Sequence, residues 1–354
     1  MNRKHLRSVL AVAGVALLAA PAAFAFLAEA SHDRTAAFLE EVRAAQDRPR
    51  FAGRKVVESA EGPTVLDVRA DRPGRVHVDV VSRLRGEENS ASAAQARPAG
   101  RRSGSWPGRG PRGRFTDPSL IAENYRLEAR GPENIAGRDA DRYALVPRHA
   151  GRASYEFAID RRNRFMLAFR AVARDGGRLY DARYESILFD PPPRAEAEPA
   201  KPAVARPPQD RPRRVSREAV TESDLRRAMP FAVWSPGWAP AGFKRRSLER
   251  FKIRDLGEAV FSWWSDGMAG IYVVQTEAAN PAWELFRGAY LGLPETPPPS
   301  ASGGPVAWRM RHPGGAVLDL ELEGTEVLIG GQVEPDELKK MADHLRNIES
   351  PSLR

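Results

Sequence analysis

Between Gly137 and Asp190 apolar and polar residues alternate in four short runs, and no other feature of the chain narrows its fold as much. Tyr155, Phe157 and Ile159 share one side of their run, with Glu156 and Asp160 on the other. Phe165, Leu167 and Phe169 repeat the spacing. Tyr180, Ala182, Tyr184, Ser186 and Leu188 do so again, against Asp181, Arg183 and Glu185. A period of two puts one side on a core and the other in water, as in antiparallel strands. The intervening residues suit turns: Asp160 to Asn163 is polar, and Asp175-Gly176-Gly177 tolerates positive φ. The expected product is a meander with an apolar inner face.

The segments before it extend the same sheet. Residues 33–46 change to a helical period, with Ala37, Phe38, Val42 and Ala45 on one side, and Pro49 stops the helix. Strands are expected over Phe51–Glu58, Thr64–Ala70 and Gly74–Ser82, joined by Gly and Pro turns. Asp117-Pro118 reads as an N-cap followed by proline at the first helical position.

Residues 86–114 fit no element. From Arg97 to Arg114 this insertion carries six arginines and no acid. The whole chain is +9; without residues 1–25 it is +6, so the basicity is concentrated in this one arm. Two readings stand: a solvated loop, or capture of phosphate groups such as lipid headgroups by Arg101, Arg102, Arg109, Arg112 and Arg114. Gly108 to Gly113 matches the dinucleotide-binding glycine pattern letter by letter. Pro111 removes an amide, however, and neither a strand nor a helix flanks it, so the match carries no chemistry.

Arg3, Lys4 and Arg7 precede an uncharged apolar run from Ser8 to Ala28, with small residues at two cleavage-like positions. This is an export signal, and the run is also long enough to act as an uncleaved inner-membrane anchor. Export makes nucleic acid a poor partner for the arginine arm and places the protein in the periplasm. Eight prolines between Pro191 and Arg214 then mark a stiff spacer.

Beyond the spacer, Thr221 caps a short helix, and Ser265-Asp266-Gly267 separates two apolar runs as a hairpin turn. A closing helix is expected over Pro335–Asn347, with Leu338, Met341, Ala342 and Leu345 on one face. Most of the tryptophans fall in this second unit, among them Trp234, Trp238, Trp263 and Trp264. Most should be core. Adjacent Trp263 and Trp264 must point to opposite faces of a strand, one of them outward as a candidate partner contact.

Little in the chain asks for catalysis. Cysteine is absent, and the six histidines stand isolated at 5, 32, 77, 149, 312 and 344 with no metal-ligand spacing. The Ser-x-Ser and Ser-Asp-Gly motifs lack a nucleophile elbow. No enzyme activity, cofactor or metal is expected.

Several of these motifs resemble the RseB/MucB family of periplasmic regulators of the sigma-E envelope stress response. In the first unit the likeness rests on "FAGRKVVES", on Ala136-Gly137-Arg138, on the aromatic strand closing at Asp160 and on the apolar strand entering "DGG". In the second it rests on the W-x-P-x-W-x-P-x-G-F run from Trp234 to Phe243, on "FSWWSDG", and on Gly331 to Pro335. Gln332 and Glu334 depart from the family pattern there. The resemblance spans roughly residues 33–347.

It implies an α+β chain in four parts. These are a signal segment (1–30), a LolA/LolB-like antiparallel half-barrel (31–190), a Pro-rich linker (191–214) and a smaller α+β domain (215–348). It further implies that the small domain grips the periplasmic segment of a membrane anti-sigma factor and shields it from proteolysis. The apolar face of the large domain (Tyr155, Phe157, Ile159, Phe165, Leu167, Phe169) would receive a lipid or lipopolysaccharide acyl chain that relieves the block. A lipoprotein or lipid carrier, and an envelope structural protein, remain the competing classes.

Overall fold

The computed structural model describes residues 32–46, 49–59, 62–72, 75–83, 115–192, 215–253, 257–278, 280, 306–309 and 315–348. The expected signal segment, the whole arginine arm and most of the spacer lie outside these residues.

Alternation produces the expected sheet. After helix α1 (residues 32–46) come strands β1 (Phe51–Ser59), β2 (Gly62–Arg72) and β3 (Arg75–Arg83). Helix α2 (Pro118–Asn124) then leads into β4 (Tyr125–Ile135), β5 (Arg138–Pro147), β6 (Ser154–Asp160), β7 (Met166–Val172) and β8 (Arg178–Phe189). These eight strands form one antiparallel sheet in the order β3-β2-β1-β8-β7-β6-β5-β4, with β3 and β4 as its edges. Asp117 caps α2, its side chain accepting from the Leu120 N–H at 3.0 Å.

The apolar inner face carries two clusters. In one, Leu39 and Val42 of α1 pack on Tyr155, Phe157, Ile159, Phe169 and Leu145, with Phe115 beside them. In the other, Phe51, Val68, Ala70, Phe165, Leu167 and Tyr184 come together. Cross-strand pairs Tyr143–Phe157, Phe157–Phe169 and Phe169–Ala182 run across the middle of the sheet. Burying one such aromatic side chain is worth about 2–3 kcal/mol.

One expected side assignment fails. Simple alternation places Leu188 on the same face as Tyr184, yet Leu188 is 56% exposed. The ladder between β1 and β8 pairs Lys55 with Tyr184 and Arg54 with Ser186, leaving Glu185 as an extra residue. That bulge shifts the phase by one, so Ile187 and Phe189 turn in and Leu188 turns out.

The second unit begins with β9 (Val215–Ala219), helix α3 (Glu222–Ala228) and β10 (Trp234–Pro236). Strands β11 (Lys244–Ile253), β12 (Gly257–Ser265), β13 (Gly270–Glu277), β14 (Val306–Arg309), β15 (Ala316–Leu322) and β16 (Thr325–Gly331) follow. They make a seven-stranded antiparallel sheet in the order β14-β15-β16-β13-β12-β11-β9. Central β13 is buried along nearly its whole length, as a strand covered on both faces must be. Thr221 caps α3 in a reciprocal capping box with Asp224.

Helix α4 (Pro335–Asp343) is shorter than expected. It stops before His344, and Leu345–Asn347 become β17, paired with β10 in a separate two-stranded ladder. Leu338 and Met341 still seat α4 on Ile271, Val273, Val327 and Ile329.

Candidate functional site

The six residues expected to face a lipid are all buried: Tyr155, Phe157, Ile159, Phe165, Leu167 and Phe169 are each less than 8% exposed. The chain itself fills the space above them. Leu39 and Val42 of α1 cover four of the six, and Phe115 meets Phe157 edge-on at 5.2 Å. Phe38 lies against Tyr143 at 4.7 Å. Phe165 and Leu167 belong to the second cluster, where Phe165 sits 4.9 Å from Phe51 and 5.3 Å from Phe189. Among the described residues, Leu39 and Val42 of α1 and Phe115 occupy the space over the first cluster that an acyl chain would take. The arm residues Arg101, Arg102, Arg109, Arg112 and Arg114 lie outside the described residues.

The tryptophans divide by what they touch. Trp234, Trp238 and Trp264 lie partly buried against the small-domain core. Trp263 lies over Gly270, where an added Cβ would collide with the indole ring at 1.9 Å, so the glycine is the seat for the ring. Both members of the Trp263-Trp264 pair are half-buried, rather than one in and one out. Lys340 places its ammonium 4.4 Å from the Trp238 ring centre, and the Arg245 guanidinium lies 5.9 Å from that of Trp264. Trp238 and Trp264, each partly buried and beside a cation, offer apolar area with positive charge, which suits a partner with apolar and acidic groups; Trp263 points to the opposite face of β12.

A second constellation lies between the two large sheets, where α2 and β4 meet the β12–β13 hairpin. The Asn124 amide donates to the carbonyls of Leu120, Gly242 and Asp266 at 2.9, 3.1 and 3.0 Å, and its oxygen lies 3.0 Å from His149 Nε2. The Tyr125 hydroxyl donates to Asp266 Oδ2 at 2.8 Å, while Asp266 Oδ1 accepts the N–H groups of Met268 and Ala269. Arg152, itself buried, brings its Nε within 3.7 Å of Asp266, pairs with Glu337 of α4 and stacks over Phe243 at 5.0 Å. Gly267 holds φ at 100° against α2; a Cβ there would meet Ile121 at 2.6 Å. At the rim, Lys244 pairs with Glu123 and Arg246 with Asp117, at 2.5 and 2.6 Å.

Burial dominates the electrostatics of this seam. It raises the Asp266 carboxyl above its ordinary pKa, despite opposing hydrogen bonds from Ala269, Met268 and Tyr125 and the charge of Arg152. Burial also lifts the Tyr125 hydroxyl well above the phenol range, with Tyr155 and Asp266 adding to it. Arg152 Nε has no hydrogen-bond partner. The other guanidinium nitrogens donate to Glu337 and to the Ala241 carbonyl, so only Nε faces Asp266 without a hydrogen bond.

Nothing in the local spacing marks Asn124, Tyr125 or Arg152 as a junction. Asp266 reads as a turn residue. The one available signal is that the hairpin motif containing it is among those shared with a two-domain family. Among the described residues, no three His, Asp or Glu side chains gather as a metal site, and no helix is long and apolar enough to cross a membrane.

Comparison with known proteins places these features. Residues 35–204 match the family model for the MucB/RseB N-terminal domain. No curated protein matches the chain by sequence. The solved complex of Pseudomonas aeruginosa MucA/MucB superposes with a TM-score of 0.53 at 17% identity, covering 90% of this chain and 100% of that one. A crystal structure of MucB in complex with MucA(peri) gives 0.52 at 16%, with the same coverage. At such identity the likeness concerns the fold, and it extends over both units.

Proposed function

The chain belongs to the MucB/RseB family through residues 35–204, and from that premise we propose that it is a periplasmic, non-catalytic regulator of an envelope-stress pathway. Its partner is the periplasmic segment of a membrane anti-sigma factor, which it binds and protects from proteolysis. The observation that carries this reading is the similarity of both units, over 90% of the chain, to MucB in complex with MucA. A carrier built on the first unit alone gives no account of the second. Trp234, Trp238 and Trp264 are the proposed contact, because half-buried indoles beside Lys340 and Arg245 combine apolar area with positive charge, whereas Trp263 points to the opposite face of β12.

Release by an acyl-chain ligand is the second part of the proposal. The ligand would enter the first cluster by displacing α1, whose Leu39 and Val42 occupy it, and the arginine arm would take the headgroup phosphates. The test is affinity capture from detergent-solubilised envelopes with the full chain as bait. Recovery of a single-span protein with a cytoplasmic sigma-binding domain supports the regulator. Recovery of diverse lipoproteins without such a protein would replace it with the carrier.

A further inference from the structure

Most described cations of the second unit already hold a carboxylate. Arg217, Arg227, Lys244, Arg245, Arg246 and Arg250 each form an ion pair. Lys340 and Arg346 are exposed and form none among the described residues. Lack of a nearby acid does not explain Lys340. On α4, Asp336 and Glu337 precede it by four and three residues and Asp343 follows it by three, the separations at which helical side chains meet. Lys340 takes none of them. Its ammonium lies 4.4 Å from the centre of the Trp238 ring instead.

Two more groups close on the same indole. The His344 ring centre stands 6.3 Å from that of Trp238. His344 Nδ1 is 2.8 Å from the Lys340 carbonyl, and a carbonyl only accepts, so Nδ1 carries the hydrogen and Nε2 is left without a protein partner. Arg346 crosses Gly237, the residue before Trp238. A Cβ on Gly237 would meet Nε at 2.6 Å and Cδ and Cζ at 3.0 Å, so only glycine lets this side chain lie against the backbone. The β10–β17 ladder fixes the frame: Ser235 stands opposite Arg346, and the Gly237 N–H donates to the His344 carbonyl at 2.8 Å. A half-buried indole is thus flanked by two cations that the chain itself leaves uncompensated.

We propose that this corner is a docking site for an acidic peptide, which lays an apolar side chain on Trp238 and carboxylates on Lys340 and Arg346. Resting on the regulator reading above, the peptide is the anti-sigma segment, and the two cations select acidic residues within it. Charge complementarity names the occupant: the ring supplies apolar area, and each cation gains the ion pair it lacks. A peptide fits better than a membrane surface. The cations are local to one indole, and the exposed carboxylates of Asp336 and Asp343 on the same helix would face a broad anionic bilayer.

The test uses the full-length protein and a labelled peptide repeating Glu-Leu-Ser, with the same peptide carrying Gln for Glu as its neutral counterpart. Fluorescence anisotropy should show the acidic peptide bound at least about tenfold more tightly than the neutral one. Lys340→Gln and Arg346→Gln should each weaken the acidic peptide about threefold and leave the neutral one unchanged, as expected of exposed pairs. The double variant should lose about tenfold if the two act independently. Arg174→Gln, which removes an exposed and unpaired cation of the first unit, should change nothing. All three positions are exposed, so thermal unfolding should stay unchanged. Equal binding of the two peptides, or an equal loss with Arg174→Gln, would overturn the proposal. So would phosphatidylglycerol vesicles that bind in place of the peptide and are lost with the same two variants. Envelope capture separates this proposal from the regulator reading. If native protein and double variant recover the same anti-sigma protein equally well, the regulator stands and the corner falls. If neither recovers one while the acidic peptide still discriminates, the regulator falls and the peptide site stands.

Discussion

At the scale of single residues, Asp266 holds a junction together while opposing its own ionisation. Burial raises its pKa in the folded chain, so the folded state takes up a proton at a higher pH than the unfolded state does. Its ionised form therefore costs stability above that raised value, and the cost fades as the pH falls through it. For Asp266→Asn, which does not ionise, the stability deficit relative to the native protein should narrow as the pH rises from 3.8 through the raised value. Urea unfolding at matched pH values measures this; a deficit that widens would mean that pairing with Arg152 outweighs desolvation. Removing the carboxyl outright is worse. Asp266→Ala leaves Arg152 with Glu337 as its one acidic partner and should cost about 3–5 kcal/mol, whereas Tyr125→Phe loses one hydrogen bond and should cost about 1–2 kcal/mol.

At the scale of elements, the bulge at Glu185 decides which side chains of β8 are structural. We expect Leu188→Gln to change stability by less than about 0.5 kcal/mol and Ile187→Gln to cost about 1–3 kcal/mol, read from urea midpoints. The opposite ranking would restore uninterrupted alternation. Helix α1 sets access to the first apolar cluster through Leu39 and Val42. Truncating Leu39 to Ala removes buried contacts worth about 2–5 kcal/mol. If an acyl chain competes with α1 for this space, that variant takes up a fluorescent fatty acid more tightly than the native protein. Unchanged or weaker uptake would argue against entry at α1. Most elements were legible in the sequence because period-two alternation, the caps at Asp117 and Thr221, and the Gly and Pro turns are local signals. The phase slip at Glu185 was not, because a bulge is settled by how β8 meets β1, a strand more than a hundred residues away. The early end of α4 has the same origin: Leu345–Asn347 are claimed by β10.

At the scale of the whole molecule, the seam makes two sheets respond together. Arg152→Ala should separate one cooperative unfolding transition into two, seen by calorimetry, because it removes the cation that links Asp266 with Glu337. A single unshifted transition would mean that the Asn124 hydrogen bonds suffice. For partner binding, Trp238→Ala in the full chain should weaken capture of the anti-sigma segment by at least about tenfold, measured by titration calorimetry. Unchanged affinity would move the contact off the tryptophan platform. The sequence by itself determined the strand-rich α+β architecture, the caps and turns, the two-unit order and the family resemblance, since each follows from residues close together in the chain. Tertiary structure alone decided that α1 fills the supposed lipid face, that Leu188 points outward, and that Asn124, Tyr125, Arg152 and Asp266 meet. These depend on desolvation and packing between distant segments, and such energies have no period along the sequence to reveal them.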